Sequence, residues 1–390
     1  MGDAAYIISA AGIPNYGDEV ILRTWLRHLG EHQPDRDIWV DCPEPGRAAI
    51  LMRNVNPRAR FVNTLWHLSR RSPSSGYTTI REFTRTMIDR LGTPELDSGL
   101  IVLRDAGSVH IVGGGYLNEM WPENLAFIAA AAHLAESRGI PAFLTGAGLM
   151  PCEPATAALL RPDVAAFTLA EARDAASAAL VGIPLGWDDA VLRWQEVATG
   201  DPDEAPDIMI LIQGDLGAAN VDEDAEAAVV AEFVAAARAR GGRTVGFIEG
   251  YPQFDGRRWS RYREEYPDAA FLSFEFLWET GLPARSGQQW LTTRFHFHLL
   301  AAAYGADGLA MVSDQDYYAQ KHALLDEWGT GWPLVGLVES RSGLPEPARD
   351  LGFDSVLHRA HRDKSAVAAT VYPPSTLAPT GWRRALRRKR

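Results

Sequence analysis

The chain of 390 residues carries a formal net charge of -12, and 46% of its residues are apolar. That length exceeds the size at which one hydrophobic core usually stops growing, so two domains are expected. The acidic balance excludes the basic stripe of a nucleic-acid binder. The two cysteines, Cys42 and Cys152, form neither a disulfide framework nor a metal knuckle.

The first residues, Met1-Gly-Asp-Ala, carry an acid where a signal peptide carries positive charge. No run approaches the roughly 18 apolar residues of a membrane span. A cytoplasmic protein is expected. The final Arg383-Arg-Ala-Leu-Arg-Arg-Lys-Arg390 is basic enough for weak contact with an anionic membrane surface.

Taken in order, Tyr6 to Ala10 reads as a buried strand, and Gly12 to Glu19 as its loop. Val20 to Leu29 has helical apolar spacing, with Asp18 as a possible cap and Gly30 as a stop. Ile38 to Val40 is a second strand, and Phe83 to Leu91 a helix. Val109 to Val112 runs into Gly113, Gly114 and Gly115. Three glycines cost chain entropy, so a backbone or a ligand is expected to come close there. A helix over Leu125 to Ser137 follows. Ala142 to Thr145 then enters Gly146-Ala-Gly148. Val164 to Leu169 reads as a strand, followed by Arg173, a helix to Leu180, and Trp187-Asp-Asp189.

Residues 197 to 206 form an acidic, proline-containing linker, and the pattern then restarts. Strands are expected at Ile208–Ile212, Thr244–Ile248, Ala269–Ser273, Leu309–Val312 and Leu334–Val338. Helices are expected at about Ala225–Arg240, Phe254–Tyr266 and Ala319–Trp328. Strand, loop and helix in repetition mean α/β architecture with largely parallel sheets. The glycine loops all follow their strands and should share one edge, where such sheets bind ligands. The domains are read as 1–200 and 201–362, with 363–390 a basic, partly disordered tail.

The stretch Arg294-Phe-His296-Phe-His298 before the apolar run to Gly305 is the chemical centre of the sequence. Arginine's planar fork suits phosphate or carboxylate. A histidine titrates near working pH and suits proton transfer. His298 reads as structural, because in a helix it points well away from His296. No third ligand at a recognisable spacing supports a metal, and no cofactor is expected. Asp18 and Asp189 are candidate bases, each equally readable as a helix cap or loop brace. Lys321 is a candidate anion ligand, against a solvated helix face.

In this order the loops resemble the polysaccharide pyruvyl transferase family. The matching pieces are Asn15-Tyr-Gly17-Asp18-Glu19, Gly113-Gly-Gly115, Gly146-Ala-Gly148-Leu-Met-Pro151, Ala172-Arg-Asp174, Trp187-Asp-Asp189 and Arg294-Phe-His296. The resemblance implies two Rossmann-like domains in a GT-B-like arrangement, with the active site in the interdomain cleft. It further implies transfer of a carboxyethylidene group from phosphoenolpyruvate to hydroxyls of a sugar or sugar-containing acceptor, with phosphate released. His296, Arg294 and Asp18 are then catalytic. Arg173, Asn15, Gly17, the glycines 113–115, Gly146, Gly148, Lys321 and Asp189 line the substrates. The first domain takes the acceptor and the second the donor. A homo-oligomer is expected. The alternatives are a nucleotide-sugar-dependent glycosyltransferase of the same fold and a non-catalytic sugar-phosphate binder.

Overall fold

A computed structural model describes residues 3–198, 205–215, 222–312, 316–336 and 343–375. The basic segment 383–390, most of the 197–206 linker and the end of the expected strand Leu334–Val338 lie outside them. Two compact units emerge. The first comprises Met1–Ile13, Ile21–Asp189 and Arg362–Arg390, the second Pro14–Val20 and Ala190–His361.

The first unit is built on six parallel strands: β1 (Ala5–Ile8), β2 (Ile38–Asp41), β3 (Ala59–Val62), β4 (Ser108–Ile111), β5 (Ala142–Ala147) and β6 (Leu169–Ala172), in the order β3-β2-β1-β4-β5-β6. The second has β7 (Ile208–Leu211), β8 (Val245–Ile248), β9 (Ala270–Leu272), β10 (Gln289–Thr292), β11 (Asp307–Val312) and β12 (Leu334–Gly336). Its order, β12-β11-β10-β7-β8-β9, is the same topology once its strands are counted from β7. This is the doubly wound order. The central strands β1, β4, β7 and β8 are buried throughout, because helices cover both faces of a parallel sheet. The two-Rossmann, GT-B-like fold class therefore stands.

Several element ends differ from the sequence reading. The first helix spans Tyr16–His32, so Asp18 lies in its first turn rather than at its cap, and Gly30 does not end it. A Cβ on Gly30 would meet the Asn56 amide at 3.2 Å, and that amide bonds the Leu26 carbonyl. Gly30 thus serves close packing. The expected strand Val164–Leu169 is instead the end of a helix, Pro154–Ala165, with β6 following at Leu169.

Residues beyond Asp363 are ordered further than composition suggested. The helix Phe353–Val371 runs through them and contributes Leu357, Ala360, Lys364, Ala368 and Val371 as buried side chains. Lys364 is fully buried. Its ammonium meets Asp189 at 2.8 Å and also bonds Glu171. Burial alone would raise the Asp189 pKa, but Lys364 and the Gly113 N–H outweigh it and hold the carboxyl below its ordinary value. Burial likewise opposes the Lys364 charge, and the two carboxylates more than restore it. Removing one member of such a group leaves an uncompensated buried charge. Lys364→Met should therefore destabilise the protein by about 3–5 kcal/mol, measured from its urea unfolding midpoint.

Candidate functional site

The second unit gathers its polar groups where β7, β8 and β10 end. Asp255, at the start of the helix Asp255–Tyr262, is buried and accepts from three backbone N–H groups: Gly214 at 3.0 Å, Gly250 at 3.0 Å and Tyr251 at 2.8 Å. The same carboxylate clamps Arg294, from Nε at 2.8 Å and Nη2 at 2.6 Å. Asp215 approaches the guanidinium at 3.3 Å, and the Tyr251 ring lies 5.5 Å from it. Arg294 begins the helix Phe295–Ala303, and its N–H bonds the Thr292 hydroxyl at 3.1 Å.

The Asn15–Glu19 motif comes to this edge, not to the first unit as read from sequence. The Tyr16 N–H donates to the Gly250 carbonyl at 2.9 Å, and the Tyr16 ring packs 5.0 Å from that of Phe297. Asn15 opens the helix by accepting the Glu19 N–H at 3.0 Å. Gly17 then faces the imidazole of His296. A Cβ at Gly17 would lie 1.9 Å from His296 Nδ1, so any larger residue there would displace the ring. Asp18 follows, partly exposed. The structure therefore brings Asn15, Gly17, Asp18, Arg294 and His296 together.

His298 and Lys321 stand elsewhere. His298 is buried and belongs to a one-way hydrogen-bond chain. His322 Nε2 lies 3.0 Å from the Thr293 carbonyl and must donate to it. His322 Nδ1 then accepts from His298 Nδ1 at 3.0 Å, and His298 Nε2 accepts from the Thr330 hydroxyl at 2.9 Å. Lys321 is partly buried beside His322 on the helix Asp316–Glu327, where its charge opposes protonation of that ring.

The first unit holds the remaining candidates, and there contacts within the protein account for the glycines. The Gly113–Gly115 loop is packed against the loop that ends β5. Gly148 N–H donates to the Gly114 carbonyl at 3.0 Å, and a Cβ on Gly113 would lie 2.8 Å from the Gly146 carbonyl. The Asn118 amide bonds the Gly115 carbonyl at 3.0 Å. The glycines let backbone meet backbone. Asp189, read as a possible base or ligand, is the loop brace: it is fully buried and accepts from Trp25 at 2.8 Å, Gly113 N–H at 2.8 Å and Thr145 at 2.7 Å, besides Lys364. Arg173 is 4% exposed and paired with Asp188 at 2.7 Å.

Sequence reasoning missed Asp255, Tyr251 and Lys364. Asp255 and Tyr251 follow Gly250 after a strand and obey the same loop rule as the motifs that were noticed. Lys364 occupies an apolar position of its helix, which was a readable anomaly. Also missed was His110, whose Nε2 donates to Thr145 at 2.9 Å and whose pKa burial pushes down to about 3. Among the described residues there is no group of three or more potential metal ligands, and no helix is long and apolar enough to cross a membrane. Both cysteines are buried.

Residues 15–193 match the family model described as Polysaccharide pyruvyl transferase, which supports the family resemblance over that part of the chain. No curated protein sequence matches. Solved structures of similar fold include UDP-GlcNAc 2-epimerase from Neisseria meningitidis bound to UDP-GlcNAc, with TM-score 0.51, 11% identity and coverage of 95% of this chain and 99% of that one. UDP-N-acetylglucosamine 2-epimerase from Rickettsia bellii gives TM-score 0.51 and 11% identity, covering 95% and 96%. Phosphoenolpyruvate as donor is thereby corrected. Both of these structures are named for a nucleotide sugar, and both arginines assigned to the donor's anionic groups are engaged by aspartates.

Two outcomes follow from this geometry. Gly17→Ala should forgo the roughly 1 kcal/mol that Gly→Ala ordinarily adds within a helix, and should shift the His296 imidazole resonances, because the ring must move. For the histidine chain, burial holds His298 well below its ordinary value and His322 at about 4. The unfolded chain takes up protons there below about pH 6.5, so stability falls as pH drops from that value through about 4. The His322 share is about 3 kcal/mol. His322→Gln, which keeps the bond to Thr293, should flatten that part of the pH profile of the urea midpoint.

Proposed function

We propose that the protein is a sugar-acting transferase that uses a nucleotide-sugar donor at the carboxyl edge of its second sheet. The contact of Gly17 with His296 carries this reading, since it brings two motifs from opposite ends of the sequence into one site. The transferase family matched by residues 15–193 supports group transfer, and the UDP-GlcNAc named for a 2-epimerase structure of the same fold supports the donor class.

The surroundings favour this donor over a small, highly charged one. Asp255 and Asp215 together outweigh the single Arg294 charge, so the edge is acidic. It suits hydroxyl-rich groups and the removal of a proton. The acceptor hydroxyl attacks the donor's anomeric carbon, and the bond to the diphosphate breaks. His296 takes the hydroxyl proton, and the Asp18 carboxylate stabilises the resulting imidazolium. Arg294, clamped by Asp255, keeps the helix start fixed.

Calorimetric titration with UDP and UDP-N-acetylglucosamine, and an assay of UDP release with sugar acceptors, test this. Both ligands should bind, and His296→Ala should lower kcat by about 10²–10⁴-fold while leaving donor binding intact. Failure of both to bind would refute the donor class.

A further inference from the structure

We infer that Tyr251 is a further substrate-contacting residue, its phenolic O–H donating a hydrogen bond to a hydroxyl of the transferred sugar. The inference rests on the transferase reading above. Tyr251 lies three residues past the end of β8 and is only partly buried. Its backbone is fixed from several directions. Its N–H bonds Asp255 at 2.8 Å, and its carbonyl accepts from the Asp255 N–H at 3.1 Å. The adjoining Gly250 carbonyl holds the Tyr16 N–H, one residue before Gly17. Gln253, with φ +76°, turns the loop so that Tyr251 and Asp255 face each other.

The ring is fixed as well. One contact is with the Arg294 guanidinium at 5.5 Å, and another is with the Phe254 ring, whose centroid is 4.7 Å away. Such a ring presents its hydroxyl to the site without flexing. The charges nearby decide what that hydroxyl meets. Burial first, then the Asp215 and Asp18 carboxylates, keep the phenol protonated. It is therefore a neutral donor among acids. A phosphate oxygen brought there would be repelled by both carboxylates, whereas a sugar hydroxyl carries no charge and accepts the bond. Arg294 is engaged by Asp255 and Asp215, which leaves the donor role at this point to Tyr251.

Tyr251→Phe keeps the ring and its packing and removes only the O–H. The protein is titrated with UDP and with a set of UDP-hexoses, and UDP release is assayed alongside. The variant should bind UDP as the wild type does. For the preferred UDP-hexose it should lose about 3- to 10-fold in affinity or kcat/KM. Tyr251→Ala should lose more and should also unfold at lower urea, because it removes the ring. Equal weakening toward UDP and UDP-hexose would mean the phenol serves the diphosphate and overturns the inference. So would wild-type values for Tyr251→Phe, which would leave the ring a purely structural role with the transferase reading intact. A wild-type protein that binds no UDP-hexose overturns both.

Discussion

One buried carboxylate, Asp255, holds the strand ends on which the candidate site depends. It collects N–H groups from the loops after β7 and β8 and fastens the guanidinium that follows β10. Three loops that are remote in sequence have one common acceptor. Without it, three backbone donors would lose this acceptor, each at a cost of about 1–3 kcal/mol. The first unit repeats the device with Asp189, which gathers the loop after β4, the end of β5, a tryptophan of the first helix and a lysine from the last. In each sheet a buried aspartate does what a ligand would otherwise do, which is to satisfy convergent donors at the carboxyl edge.

That division of labour explains why similar glycine loops have different consequences. Gly113 and Gly146 allow two loops to touch and to reach Asp189, so their surroundings are filled by protein. Gly17 instead yields its side-chain volume to His296, a titratable ring at the head of a helix. Glycine after a strand marks a close approach in both cases. Only the identity of the approaching group separates a structural brace from a candidate site.

The second site is acidic around a clamped arginine, and this constrains its chemistry. A guanidinium held by two carboxylates orients and packs more than it attracts anions. Proton transfer and recognition of hydroxyls fit such surroundings.

Much of the fold was legible in the sequence. The apolar runs of β1, β4, β5, β7 and β8, each ending in glycine or polar loops, marked parallel strands, because strands covered on both faces have no polar alternation to hide them. The motif residues around Gly17 and Arg294-Phe-His296 were visible as well. Boundaries set by packing were not. Gly30 did not stop its helix, since Asn56 needs the space there, and the helix carrying Lys364 continued where composition suggested a loose tail. The sequence by itself determined the α/β repeat and the residue types of the site. Only the tertiary structure decided which of them meet: Asn15, Gly17 and Asp18 with His296 in the second unit, and Asp189 with Lys364 in the first. The reason is that a buried charge is tolerated only beside its partner, and those partners come from segments far apart along the chain.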